Sequence, residues 1–247
     1  LLAGDGTSKV VAERIHFADN TASSPAGDAL GGAIRTASLT VLEVRDCEFT
    51  DNTAEGANAV GAAIRAEGPV LIERSTFEGN RAVATNLAQG GAISAVGGLT
   101  IRGSTLVDNH AEGASVSGGA IAIDANSFII SGVTFSGNGV VGSSTMLGSH
   151  LAVSLASGSI RGSIFDVATS PLSQCYFSAG VSLISEFNAF TSVTSKQQCQ
   201  GGGGSVVPIL DTDLGTFGDH GGPTRTIPLT RTSRLLDQVF IDDCDAT

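Results

Sequence analysis

From Val10 to Phe165 apolar residues recur in steps of two, and the whole pattern returns after about thirty residues. Phe17, Phe49, Phe77, Leu106, Phe135 and Phe165 mark one position of this repeat, at steps of 32, 28, 29, 29 and 30 residues. Five residues before them stand Ala12, Val44, Ile72, Ile101, Ile130 and Ile160. Seven before stand Val10, Leu42, Val70, Leu99 and Phe128, and two before stand Ile15, Cys47, Ser75, Ser104, Val133 and Ser163. The steps of two, from seven to five before and from two before to the Phe column itself, put each pair on one face of an extended strand, whereas a helix needs three and four in turn. A second motif, Gly-Gly-Ala-Ile, occurs at 31–34, 90–93 and 118–121, with degenerate copies at 61–64 and 148–151. After it, Ile34 and Thr36, Ile64 and Ala66, Ile93 and Ala95, and Ile121 and Ile123 alternate in the same way. Each repeat therefore predicts about three short strands separated by turns. One repeat cannot bury its own apolar face, so copies must stack.

Coils of this size predict an all-β fold, a right-handed parallel β-helix whose equivalent residues lie about 4.8 Å apart along the axis. The Phe17 column then fills the core. Asn20, Asn52, Asn80, Asn109 and Asn138, three residues after it, form a second ladder at a turn, with amides hydrogen-bonded along the axis. The Gly-Gly pair supplies a turn that needs positive φ or close backbone approach. Glu13, Arg45, Glu73 and Arg102, and one position later Arg14, Asp46 and Arg74, alternate in sign from coil to coil. Exposed pairs contribute roughly 0–1 kcal/mol each, so the alternation marks register more than it stabilises. Segments 21–30, 53–60, 81–89, 110–117 and 139–147 are small and polar. They read as solvated loops along one edge, with a partner-binding edge as the functional alternative.

Periodicity fades after Phe165, although 177–190 still reads as short apolar strands, and Gly201–Gly204 reads as a flexible linker without the Lys and helix start of a phosphate loop. Residues 1–200 are read as coils and 201–247 as a less regular C-terminal cap of the same domain, covering strand edges at the end of the coil. The Phe-x-x-Asn-x-Ala and Gly-Gly-Ala-Ile repeats resemble those of chlamydial polymorphic outer-membrane proteins. The stretch from Pro208 to Asp237, with Asp219, Gly221, Gly222, Pro223, Thr224, Thr226, Ser233 and Asp237, resembles the choice-of-anchor Q domain of bacterial secreted and surface proteins. In that motif His220 replaces an Asn, and Arg234, Leu235 and Leu236 replace Pro-Ala-Ile. The resemblance implies a bacterial surface or secreted β-helix with an anchor beyond Thr247, and it brings no catalytic residues.

Thirteen basic against 24 acidic residues give a formal charge of −11, which argues against nucleic acid, whose phosphates need a basic face. The lack of Trp and the single Tyr argue against binding by aromatic stacking, and no apolar run approaches a membrane span. Leu1–Gly4 lacks the features of a signal peptide, so the chain reads as a mature or trimmed piece. Four cysteines allow three pairings; Cys175 and Cys199 flank one segment and are expected to pair in an oxidising compartment. Cys47 is expected as a reduced core thiol, and the carboxylates around Cys244 argue against a reactive thiolate.

Candidate chemistry is sparse. A polysaccharide lyase needs a cationic base beside carboxylates that hold Ca²⁺. Lys9 and Lys196 are expected outside the stacked coils, and Arg35 and Arg65 near Glu67 read as a solvated patch. Asp19, Asp51 and Asp108 form a column broken at Gly79, expected to cap turn backbone rather than to act as paired hydrolase carboxylates. His16, His110, His150 and His220 fall in different columns, and no cofactor is expected. Ca²⁺ at Asp211 and Asp213, or at Asp242, Asp243 and Asp245, is the one alternative considered. The expected role is a non-enzymatic structural or adhesive module outside the cell or at its surface. Its partners would be surface proteins, glycans or copies of itself. A head-to-tail filament subunit and a polysaccharide-acting lyase or hydrolase are the alternatives.

Overall fold

A computed structural model describes residues 2–3, 8–125, 127–169, 173–191, 199, 206–208 and 213–236. Its strands lie in four parallel sheets of seven, seven, eight and five members, in which the neighbours of each strand come from the coils before and after. The chain is an all-β solenoid of about six coils. Phe17, Phe49, Phe77, Leu106, Phe135 and Phe165 pair rung to rung in one column, which continues to Phe190. Ring centroids of Phe17 and Phe49, and of Phe49 and Phe77, are 4.7 Å apart, with planes 9° and 3° from parallel.

Each full coil has four strands, one more than the periodicity predicts. In the second coil these are Thr40–Arg45 on a valine-rich face, Glu48–Thr50 on the Phe face, Thr53–Val60, and Ile64–Ala66 on an isoleucine face. The additional strand is the segment read as a solvated loop, and the reading fails for a physical reason. Thr21–Leu30, Thr53–Val60, Arg81–Gln89, His110–Ser117 and Gly139–Leu147 each run outward, shift register at a bend and return. Both limbs hydrogen-bond to the same limbs of adjacent coils, which satisfies their backbone without an aliphatic alternation. The result is a fin. Ala54, Ala82, Ala111 and Val140 on outgoing limbs form a buried cluster with Ala29, Ala59, Ala88 and Val116 on returning limbs. It is separate from the Phe and Ile core of the body.

Corners between faces are made by single left-handed residues. Arg14, Asp46, Arg74, Gly103, Gly132 and Gly162 turn the chain into the Phe face at φ between 46° and 60°. Asp19, Asp51, Gly79, Asp108 and Gly137 turn it out again, and the first glycine of each Gly-Gly pair turns it from fin to isoleucine face. Asp is among the residues that tolerate this conformation, so the aspartate column serves backbone geometry. A Cβ on Gly79 would fall 2.3 Å from Oδ1 of Asp51, so an aspartate in one coil leans over a glycine in the next.

Two polar ladders bracket the Phe strand. Asn20, Asn52, Asn80 and Asn109 each donate from backbone N and Nδ2 to Oδ1 of the next asparagine. Asn52, Asn80, Asn109 and Asn138 also donate from Nδ2 to the carbonyls of Phe17, Phe49, Phe77 and Leu106. At the other end of the strand, Ile15, Cys47 and Ser75 donate backbone N–H groups to Cys47 Sγ, Ser75 Oγ and Ser104 Oγ. Cys47 is a buried free thiol in a column it shares with Ser75, Ser104 and Ser163, and with Ile15 and Val133, and burial raises its pKa.

The C-terminal part departs from the expected cap. Val206–Pro208 adds a strand beside Asn188–Phe190, so the Phe face continues beyond residue 200. Cys175, in the isoleucine column next to Leu151, is joined to Cys199 in a buried disulfide at this end of the core. Within 213–236, the segment 223–225 lies on the flank of the solenoid. Arg225 N donates to Glu48 Oε1, its guanidinium pairs with Glu48 and Glu78, and Thr224 Oγ1 donates to the Arg74 carbonyl. The outward carboxylates of two adjacent coils thus hold the Gly-Gly-Pro-Thr-Arg segment.

Candidate functional site

The outward positions of the isoleucine-face strands form a column that shrinks along the axis: Arg35, Arg65, Ser94, Ala122 and Ala152, ending at Tyr176. Alternation dictates this column, because Ile34, Ile64, Ile93, Ile121 and Leu151 point inward. The returning fin limb stands beside it. Together they form a cleft of about 100 Å³ lined by Arg65, Gln89, Ser94, Ser117, Asp124 and Ser154, with Ala122 and Ala152 on its floor. Gln89 and Ser117 come from consecutive fin limbs, and Asp124 and Ser154 from ends of consecutive isoleucine-face strands.

The two arginines that the sequence groups with Glu67 behave differently. Arg35 pairs with Glu67 at 3.2 Å. Arg65 instead donates from Nη1 to Ser94 Oγ at 2.8 Å, and its Nε is buried without a hydrogen-bond partner. Burial holds its pKa below the ordinary arginine value; Arg35 pulls the same way, against Glu67 and Asp124. Arg65 is therefore no solvated patch residue but a partly desolvated cation on a cleft floor.

The remaining candidates are structural. Lys9 belongs to the first coil after all, in Ser8–Glu13, where its ion pair with Glu43 at 2.7 Å lowers the Glu43 pKa; Lys196 lies outside the described residues. Arg45 bridges Glu43 and Glu73 across two coils, and Arg74 bonds Asp46, whereas Glu13 pairs with adjacent Arg14. Asp108 sits at its corner with a pKa raised by burial. Asp213 accepts from the backbone N and guanidinium of Arg234; Asp211, Asp242, Asp243, Cys244 and Asp245 lie outside the described residues. Among the described residues no three metal-ligating side chains come together.

The histidines also separate. His16 bonds Thr50, His110 bonds the Asp108 carbonyl and Thr169, and His220 bonds the Thr216 carbonyl. His150 is fully buried, and periodicity alone gives it no role. Its Nε2 donates to the Asp166 carbonyl, which leaves Nδ1 to accept from Asn138 Nδ2 at 3.2 Å. It therefore ends the asparagine ladder as a neutral imidazole, with its pKa lowered by burial to about 4. The signal was present in the sequence. His150 occupies the place of Ala33, Ala63, Ala92 and Ala120 in the Gly-Gly-Ala-Ile motif, just before the copy of Phe-x-x-Asn that has lost its Asn.

Against known families, the profile described as right-handed β-helix region matches residues 4–157. Comparison with curated proteins and with solved structures gives no match.

Proposed function

Because the chain belongs to the right-handed β-helix family, we propose that it acts as a rigid extracellular or cell-surface module, displaying rows of side chains to a surface protein or glycan without catalysis. One observation carries this reading. Inside the solenoid, polar groups are taken up by ladders along the axis, whereas the outer rows stay fixed at rung spacing beside a projecting fin. The buried Cys175–Cys199 disulfide favours an oxidising compartment. The likeness of its repeats to polymorphic outer-membrane proteins, and of 208–237 to choice-of-anchor Q domains, supports a bacterial surface location. Protease shaving of intact source cells, combined with binding of purified protein to cells, tests the proposal. Surface accessibility with saturable binding is expected; an intracellular protein that binds nothing overturns it.

A head-to-tail filament is the second reading, favoured by the first coil. Phe17 and Asn20 are only partly buried, although their equivalents Phe49 and Asn52 are fully buried. Those groups can continue both ladders onto a further coil, whether of this same protein or of another copy. Sedimentation across a wide concentration range decides it: growth of assemblies supports the filament, and a strict monomer removes it.

A further inference from the structure

From the cleft beside the fin we infer that Arg65 is the anchor of a site for one carboxylate-bearing sugar within an otherwise neutral glycan. The inference deepens the adhesive reading above and rests on it. Among the described residues, the only partner of Arg65 is the Ser94 hydroxyl, and no carboxylate lies within ion-pair distance. A guanidinium partly withdrawn from water, with Glu67 and Asp124 acting on it only from beyond ion-pair distance, is poorly compensated, in contrast to Arg35 one rung away in direct contact with Glu67. In a chain of net charge −11, surplus carboxylates were available to neutralise it. An external carboxylate supplies the missing acceptor, and guanidinium–carboxylate bonds are among the stronger polar contacts.

The other lining groups define the rest of the ligand. Ser94, Ser117 and Ser154 hydroxyls and the Gln89 amide both donate and accept, and Asp124 accepts, which suits vicinal sugar hydroxyls. Ala122 and Ala152 leave room for one face of the ring. The cleft volume admits the acid and its neighbouring hydroxyls, not a long polymer. The overall negative charge repels a polyanion at long range, whereas one acid on a neutral chain carries a single charge against that field and can pair with Arg65.

Titration calorimetry with three oligosaccharides tests this: one neutral, one with a single terminal uronic acid, one a polyuronate. The wild-type chain is expected to bind the single-acid compound best. Arg65→Gln should weaken it about tenfold or more, as loss of a charged hydrogen bond predicts. Arg35→Gln should change it about threefold at most, because Arg35 is already paired at the surface. Ser154→Tyr, which fills the rim without touching Arg65, should also abolish binding while circular dichroism stays unchanged. Tighter binding of the neutral compound or the polyuronate, equal losses for Arg35→Gln and Arg65→Gln, or unaffected binding in Ser154→Tyr overturns the site. If the protein adheres to cells but binds none of the three compounds, the cleft assignment falls and the adhesive reading stands. If it binds the single-acid compound but is intracellular and non-adhesive, the reverse holds.

Discussion

The body and the fin are built from the same stacked coils yet hold together in different ways. In the body, Phe, Ile, Leu and Val fill a wide interior, and the corners are tied by asparagine and serine ladders. In the fin two limbs close on alanine, so there is almost no interior to fill and stability comes from backbone pairing between coils. An asparagine corner stands at the foot of every described fin limb: Asn20, Asn52, Asn80, Asn109 and Asn138 each stand directly before one. The coil of Phe165 lacks the asparagine and, among its described residues, carries no such strand, and its phenylalanine reaches Phe190 after 25 residues rather than about 29.

Asn80→Leu should be the costliest single change in the body. The substitution keeps the volume but leaves the backbone N–H of Asn52 and the carbonyl of Phe49 without their partners in a fully buried corner. Each buried orphan costs about 1–3 kcal/mol, so a loss of about 4 kcal/mol in urea unfolding is expected. A loss below about 1 kcal/mol would show that the ladder is decorative and that body and fin are alike.

The end of the ladder gives the next effect, in acid. His150 has a folded-state pKa near 4 against 6.5 for the free side chain, so between these values the unfolded chain binds a proton that the native chain refuses. Stability contributed by this site is complete above about pH 6.5 and declines as pH falls towards 4, by roughly 3 kcal/mol in all. Unfolding midpoints measured across that window should fall for the wild type. His150→Gln should flatten the dependence, since an amide does not titrate there.

The body was legible because each of its columns repeats one chemical type: Phe17 to Phe165, Ile34 to Ile121, and Asn20 to Asn138 name the register without coordinates. The fin was not, because its inward residues are the small ones, and the bend between Ala82 and Ala88 breaks the two-residue alternation. The flank position of the tail was hidden for another reason. Arg225 meets Glu48 from 177 residues away, and no periodic pattern carries that information. The cleft was half visible: Arg65 stood out beside Glu67, but Ser94, Ala122 and Ala152 hold the equivalent outward position in later coils, where no shared residue type marks them.

Adding the same kind of bulk to both regions sharpens the contrast. Ala82→Leu in the fin forces apart limbs that meet on alanine, and about 2 kcal/mol of destabilisation is expected. Leu106→Phe in the body sits between Phe77 and Phe135 in an otherwise aromatic column and should cost under about 1.5 kcal/mol. Thermal melts of the two variants check the ordering, and a reversed order would mean that the alanine cluster has slack that the Phe column lacks.

The smallest expected change is at a corner, and it comes from opposing effects of similar size. Arg74 is half-exposed, bonds Asp46 at 2.7 Å and holds φ at 46°. Left-handed backbone costs a residue with a Cβ about 1–2 kcal/mol, and Arg74→Gly removes that strain. It also loses an exposed ion pair of roughly 0–1 kcal/mol and adds unfolded-state entropy of roughly 0.5–1 kcal/mol. The net change should stay within about 0.5 kcal/mol of zero, which agrees with Gly103, Gly132 and Gly162 occupying the same corner in later coils. Arg74→Val loses the same ion pair but keeps the strain and worsens it through β-branching, so about 2 kcal/mol is expected in the same denaturation experiment. If the valine and glycine variants unfold together, the ion pair rather than the backbone governs this corner, and the sign alternation along Arg14, Asp46 and Arg74 stabilises the stack as well as marking its register.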